Sequence, residues 1–211
     1  MSDDSQGFEN TAALSATAAS QWTECVENVL RGVAHGLNNR AAALAALVEL
    51  SSEPAEAPAV IREILMTEQQ RVRDLVQVVR IIGTAPAAPE ALMPADLARD
   101  VSLVLEHHPA LRDGAIQIDA AQASPIRAPR WAFVRALVAL ATGFSGVTRS
   151  EPGRITMVTE GDWLVLSAAA NAAPLPTLAS ELTRYMGGEP LSSGYGIRVP
   201  TLAALRRREG R

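Results

Sequence analysis

Residues 26–50, VENVLRGVAHGLNNRAAALAALVEL, decide the architecture of this chain. Val26, Leu30, Val33, Leu37, Ala41, Leu44, Leu47 and Leu50 recur every three or four positions, the period of one face of an α-helix. Ser51-Ser52-Glu53-Pro54 ends the pattern, because proline lacks the amide hydrogen that a helix interior requires. A second stripe follows at Ile61, Leu65, Glu68, Val72, Leu75, Val79 and Ile82, apolar but for Glu68. Two long helices with a short connection predict an antiparallel hairpin. Ile64, Val76 and Val78 widen the second stripe beyond what one partner helix covers, so a second copy is expected to complete a four-helix bundle. The first helix also has a polar face, carrying Glu24, Asn28, Arg31, His35, Asn38 and Asn39, which leaves His35 exposed midway along it.

Upstream, residues 1–20 are rich in Ser, Thr, Ala and Asp without an apolar period and predict a loose leader. Downstream of the hairpin, at 21–83, Thr84-Ala85-Pro86-Ala87-Ala88-Pro89 marks a linker over 84–91. Beyond it the pattern is mixed. A helix is predicted over 94–107 with proline in its first turn, then short strands over 115–119 and 125–128. The run 131–147 is apolar enough for a buried helix. Strands over 154–159 and 163–169 flank a turn at Glu160-Gly161-Asp162, and helices are predicted over 177–186 and 198–208. The expected fold class is α+β: a long helical hairpin, then a small sandwich over 92–211 with helices on one face of its sheet.

Composition agrees with a helix-rich chain. Hydrophobic residues are 48% of the 211 but aromatics only 4%, and alanine, the best helix former, supplies much of the difference. A formal charge of −4 argues against general affinity for nucleic acid or anionic membrane. No apolar run is long enough for a bilayer, and the N-terminus lacks a signal peptide's basic start, so a soluble cytoplasmic protein is expected. The single cysteine, Cys25, excludes an internal disulfide and sits at the start of the apolar stripe as a packing residue. His107-His108 has no Cys, Asp or Glu cluster at metal-ligand spacing and suits a helix C-terminus, as do the arginines of Leu205-Arg206-Arg207-Arg208. Trp131, Phe133 and Trp163 read as core. No Ser/His/Asp arrangement or Walker-type phosphate loop is present.

Ala34-His35-Gly36-Leu37-Asn38-Asn39 on the first helix of a hairpin resembles the phosphoacceptor box of the bacterial histidine kinases' dimerisation and phosphotransfer domain. In that family an acid follows the histidine, Asn or Thr stands four residues after it, and proline is common next. His35 matches the phosphoacceptor and Asn39 the polar residue, whereas Gly36 replaces the acid and Arg40 the proline. An imidazole, with an ordinary pKa of about 6.5, offers a free lone pair to phosphorus at neutral pH. Arg31 and Asn39, each one turn from His35, are placed to reach the phosphoryl oxygens. The absent acid ordinarily orients the imidazole and aids proton removal during attack on ATP. Gly36 therefore argues against autokinase activity more than against relay.

The span 92–211 resembles the ATP-binding domain of the same kinases in skeleton only. Where the family places two asparagines four residues apart on a buried helix, the second holding magnesium, this chain has Ala139 and Gly143. Where the family has Asp-x-Gly-x-Gly, whose aspartate reads adenine, it has Ala170, Ala172 and Pro174. Ser193-Gly194-Tyr195-Gly196-Ile197 resembles the second glycine box, which opens onto a helix and surrounds the phosphates, although a plain turn explains its two glycines equally well, and the family's last strands are not expected after it. Each lost charge-assisted contact is worth roughly 1.5–3 kcal/mol. Losing two lowers affinity at least about a hundredfold.

The resemblance implies a dimeric histidine phosphotransferase, a relay intermediate using no ATP and no cofactor, with magnesium only where a partner receiver domain binds it. Its expected partners are a second copy, response-regulator receiver domains and a hybrid histidine kinase. A receiver would dock below His35, where Ala42, Ala45 and Ala46 allow close approach and Arg62 and Gln69 stand at the rim. Two other readings compete: a pseudokinase-type interaction module that does not use His35, and, third, an atypical ATP-using kinase.

Overall fold

The structure, a computed structural model, describes residues 14–51, 58–169 and 173–210. Helix α1 (Ala16–Ser51) and helix α2 (Pro58–Ile82) form the hairpin. They run antiparallel: Arg40 meets Glu68, and Gly36, nearer the start of α1, meets Leu75, nearer the end of α2. α1 begins inside the span expected to be a loose leader. Ser15 is the reason: its hydroxyl accepts from the Ala18 N–H at 3.2 Å, the bond of an N-cap, and its own N–H donates to the Glu181 carboxylate at 3.0 Å.

After the hairpin come β1 (Glu90–Leu92), α3 (Pro94–Leu105), β2 (Ile116–Gln122), β3 (Ile126–Ala128), α4 (Arg130–Thr142), β4 (Gly153–Glu160), β5 (Trp163–Ala168), α5 (Thr177–Tyr185), β6 (Glu189–Pro190), β7 (Gly196–Pro200) and α6 (Leu202–Glu209). β1 pairs antiparallel with β3, so the last residues of the expected linker already belong to a strand. The main sheet has the order β2-β4-β5-β7-β6, with β2 parallel to β4 and the other pairs antiparallel. Met157, Leu166 and Ile197 lie in register across three strands and are buried. Their neighbours Thr156, Ser167 and Arg198 alternate to the other face and are at least partly exposed. The buried face packs with Phe133, Leu137 and Leu140 of α4 and with Leu178 and Leu182 of α5. The α+β class, with a hairpin and helices on one side of a sheet, is as expected.

Two expected elements differ. The helix expected over 198–208 begins only at Leu202, and the preceding residues are strand β7. Ile197 and Val199 are buried and Arg198 half-buried, a period of two too short to stand out beside the following helix. Gly196 makes the pairing possible, since a Cβ there would lie 2.2 Å from the Leu166 carbonyl oxygen. Thr201 then caps α6, its side chain accepting from the Ala204 N–H at 3.2 Å. The helix expected over 131–147 stops at Thr142, and Phe144 and Val147 reach the core from the loop beyond it.

The hairpin and the sandwich share one core. Ala18, Cys25, Val29 and Val33 of α1 and Leu75, Val78, Ile81 and Ile82 of α2 are buried with residues of α3, α4 and α5. At Gly32 the backbone of the α3 end comes so close that a Cβ would lie 1.8 Å from the His107 carbonyl oxygen. Arg135 of α4 lies over Trp22 of α1, 4.7 Å from its ring centroid, and 5.2 Å from that of Trp131, which in turn packs on Tyr185 at 5.4 Å. The sandwich therefore covers the half of the hairpin before His35. From Leu37 to Val48, only Leu47 of α1 is buried.

Candidate functional site

His35 lies exposed on α1, where the covered half of the hairpin gives way to the free half. One turn on, the Asn39 side-chain amide nitrogen is 3.2 Å from His35 Nε2. An amide nitrogen can only donate, so Nε2 is the acceptor and the neutral ring carries its proton on Nδ1. Asn39 thus fixes the ring orientation and marks Nε2 as the nitrogen with a lone pair to offer.

Arg31, the other residue expected to serve the phosphoryl group, points up the helix and donates from Nη1 to Asn28 Oδ1 at 3.2 Å. Among the described residues it makes no bond to His35. Ala42, Ala45 and Ala46 are exposed on the free half of α1, and Arg62 and Gln69 are exposed on α2.

Below His35 stands a network absent from the sequence reading. The buried Glu68 carboxylate accepts from Arg40 Nη1 at 3.0 and 3.1 Å and from Arg71 Nη1 at 2.7 Å. Burial alone would raise the Glu68 pKa, but the hydrogen bonds and charges of Arg71 and Arg40 outweigh it and hold the carboxyl below its ordinary range. Arg40, noted above only as the substitute for a proline, ties α1 to α2. Glu68, the one polar member of its stripe, was the available signal. Gly36 faces α2: a Cβ there would sit 3.2 Å from Leu75 Cδ2, the flexible end of a side chain.

One of the positions where the resemblance puts a nucleotide, Ala139, lines a cavity walled in part by the chain's own first helix. Ala139 shares a cavity of about 280 Å³ with Gln21, Trp22, Glu24, Cys25 and Asn28 of α1, and with His108, Thr142, Pro176 and Leu178. Gln21 Oε1 accepts from the Leu178 N–H in the first turn of α5 at 2.9 Å. Gly143 closes α4, and its carbonyl accepts from the Ala173 N–H at 2.8 Å. Ala170 and Ala172 lie outside the described residues, and Pro174 is exposed. The Ser193–Ile197 stretch corrects the glycine-box reading. Gly194, at φ 76°, sits in the turn between β6 and β7, its N–H donating to Leu191, so the stretch opens onto a strand and not a helix.

Burial pushes the Cys25 thiol up to about 11, with Glu24 adding to the shift, so it is protonated and inert as a nucleophile. Burial lowers the pKa of both His107 and His108. Among the described residues no group of three or more His, Cys, Asp and Glu is placed to hold a metal, and no helix is long and apolar enough to cross a membrane.

No protein-family model and no curated protein matches the chain. Among solved structures it is similar to Acinetobacter baumannii histidine kinase AdeS, at 13% identity and a TM-score of 0.42, over 80% of this chain and 98% of that one. It is also similar to the cytoplasmic segment of histidine kinase QseC, at 13% identity and a TM-score of 0.35, over 71% of this chain and 98% of that one. A third is full-length ShkA in complex with AMPPNP, at 18% identity and a TM-score of 0.38, over 87% of this chain and 45% of that one.

Proposed function

We propose that the protein is a histidine phosphotransferase related to the two-component histidine kinases, carrying a phosphoryl group on His35 to or from the aspartate of a receiver domain without using ATP. The observation that carries this reading is the exposed His35 ring, with Asn39 donating to Nε2, at the edge of an uncovered stretch of hairpin. In the forward step Nε2 attacks the phosphorus of the receiver's aspartyl phosphate. The P–O bond to the aspartate breaks, the carboxylate leaves, and the ring gives up its Nδ1 proton to solvent. The Asn39 N–H yields Nε2 as the N–P bond forms and is then beside the phosphoryl oxygens. Gly36 supplies no carboxylate for this proton, and transfer from an acyl phosphate, an activated donor, asks less of a base than transfer from ATP.

The same hairpin supports a dimer. Leu30, Leu37 and Leu44 are spaced seven apart on α1 and are 43%, 46% and 37% exposed in the single chain, beside exposed Leu65, Val76 and Val79 on α2. A repeat of seven along α1, with exposed apolar residues on α2, suits the seam of a bundle of four.

The test is to mix the protein with a phosphorylated receiver domain and follow label over seconds to minutes. His35→Ala should abolish transfer while leaving helicity intact, since an exposed side chain contributes little to the core. Asn39→Ala should slow transfer and shorten the life of the phosphoryl group, and Arg31→Ala should slow it by removing positive charge. Should His35→Ala carry label as well as the wild type, the interaction-module reading takes its place.

A further inference from the structure

The cavity between α1, α4 and α5 is lined by side chains whose hydrogen-bonding capacity is unbalanced. Gln21 uses its oxygen on the Leu178 N–H, and Asn28 uses its oxygen on Arg31, so each keeps its NH2 group. His108 is only 8% exposed, and its Nδ1 accepts from the Ala110 N–H at 3.3 Å, which leaves the neutral ring a donor at Nε2. Among the described residues none of these three donors has a further partner. Thr142 turns its hydroxyl hydrogen to the Ala139 carbonyl at 2.8 Å. Glu24 brings a single carboxylate, and no cation is among the lining residues. The Trp22 ring is also part of the wall, steadied by Arg135 at 4.7 Å.

We propose that this cavity is a binding site for a small neutral planar amide, of the carboxamide or cyclic-imide type. Such a molecule presents carbonyl oxygens to the Gln21, Asn28 and His108 donors and an N–H to Glu24, while its flat body lies against Trp22. An anion is disfavoured, since the only charged lining group is a carboxylate. At about 280 Å³ the space falls just below the usual range for drug-sized ligands, so the ligand is fragment-sized and no nucleotide. Burial holds His108 neutral, which keeps Nδ1 free for Ala110 and Nε2 turned into a donor. The site draws on α1 for half its wall, and it stands whether or not His35 carries phosphate.

The probes are nicotinamide and uracil, titrated into the full chain labelled with ¹⁵N, with the three tryptophan indole N–H signals as the readout. A Trp22→Phe variant identifies the Trp22 signal. That signal should shift saturably with at least one probe, with a Kd on the order of 1 mM for so small a ligand, while Trp163, across the sheet, stays still. Asn28→Ala and His108→Gln should each weaken binding about tenfold, the loss of one hydrogen bond to a neutral group. Asn28 is only half-buried, so its variant remains informative if His108→Gln lowers stability. No saturable shift with either probe would mean that the cavity holds only water and would overturn the proposal. So would a shift that Asn28→Ala leaves unchanged in a folded protein.

Discussion

Replacing Gly32 by alanine separates two effects that usually run together. Within a helix, glycine to alanine gains about 1 kcal/mol of propensity. At Gly32, however, the new Cβ would lie 1.8 Å from the His107 carbonyl oxygen, and that atom belongs to backbone at the end of α3. A carbon approaches a carbonyl oxygen no closer than about 3.3 Å, so the two elements must part by about 1.5 Å. Overpacking costs up to about 3 kcal/mol, and a displacement of this size belongs at the upper end. The net expectation is a loss of about 2 kcal/mol, or about 4–8 °C in Tm for a chain of this length. Gly36, one turn along the same helix, is the control. Its Cβ would meet the end of the Leu75 side chain at 3.2 Å, which yields by a few tenths of an ångström. Gly36→Ala should therefore keep most of the propensity gain and raise Tm by about 1–3 °C. Melting both variants at one protein concentration, so that self-association is held fixed, gives the comparison. A Gly32→Ala protein as stable as the Gly36→Ala protein would refute the close docking of α3 on α1.

Arg135→Ala should loosen the same docking by about 1–2 kcal/mol, since the guanidinium stacks on Trp22 and Trp131, and hydrogen exchange should rise in residues 16–33 before it rises in the sheet. The Glu68 carboxyl has a depressed pKa in the fold, so its contribution is complete above its ordinary value of about 4.5 and is lost as the pH falls through the lowered one; Glu68→Gln should flatten that acid limb of the stability curve. Both His107 and His108 have folded pKa values below 6.5, so the unfolded chain binds more protons below that pH and stability should fall as the pH drops from 7 to 5.5. Leu44→Glu should leave a monomer by light scattering at micromolar concentration, because a carboxylate in the seam of a dimer costs several kcal/mol; an unchanged dimer would place the interface elsewhere.

The elements that a sequence periodicity can report were legible. The two helices, their antiparallel pairing and the exposure of His35 follow from apolar residues at helical spacing, and Asn39 does contact His35 as its one-turn spacing requires. β4 and β5 were readable from alternation around a Glu-Gly-Asp turn. β7 was not, because its five residues alternate too briefly before an alanine- and leucine-containing helix, and its glycine serves a close strand contact instead of a phosphate loop. The docking of hairpin on sandwich was invisible for a different reason. It depends on a backbone carbonyl opposite Gly32 and on Arg135 between two tryptophans distant in sequence, contacts that leave no local pattern. Arg31 shows the limit of spacing arguments: one turn from His35, it bonds Asn28 on the other side.

The central claim is that phosphate enters through His35 from an aspartyl phosphate and not from ATP. Its most direct measurement is peptide mass spectrometry under alkaline conditions, after brief mixing with a phosphorylated receiver domain in one sample and with millimolar ATP-Mg in another. The account predicts an acid-labile phosphoryl group on the peptide containing His35 in the first sample and none in the second. Phosphate on His35 with ATP as the sole donor, or an unmodified His35 beside a receiver that has lost its label to another residue of this chain, would contradict it.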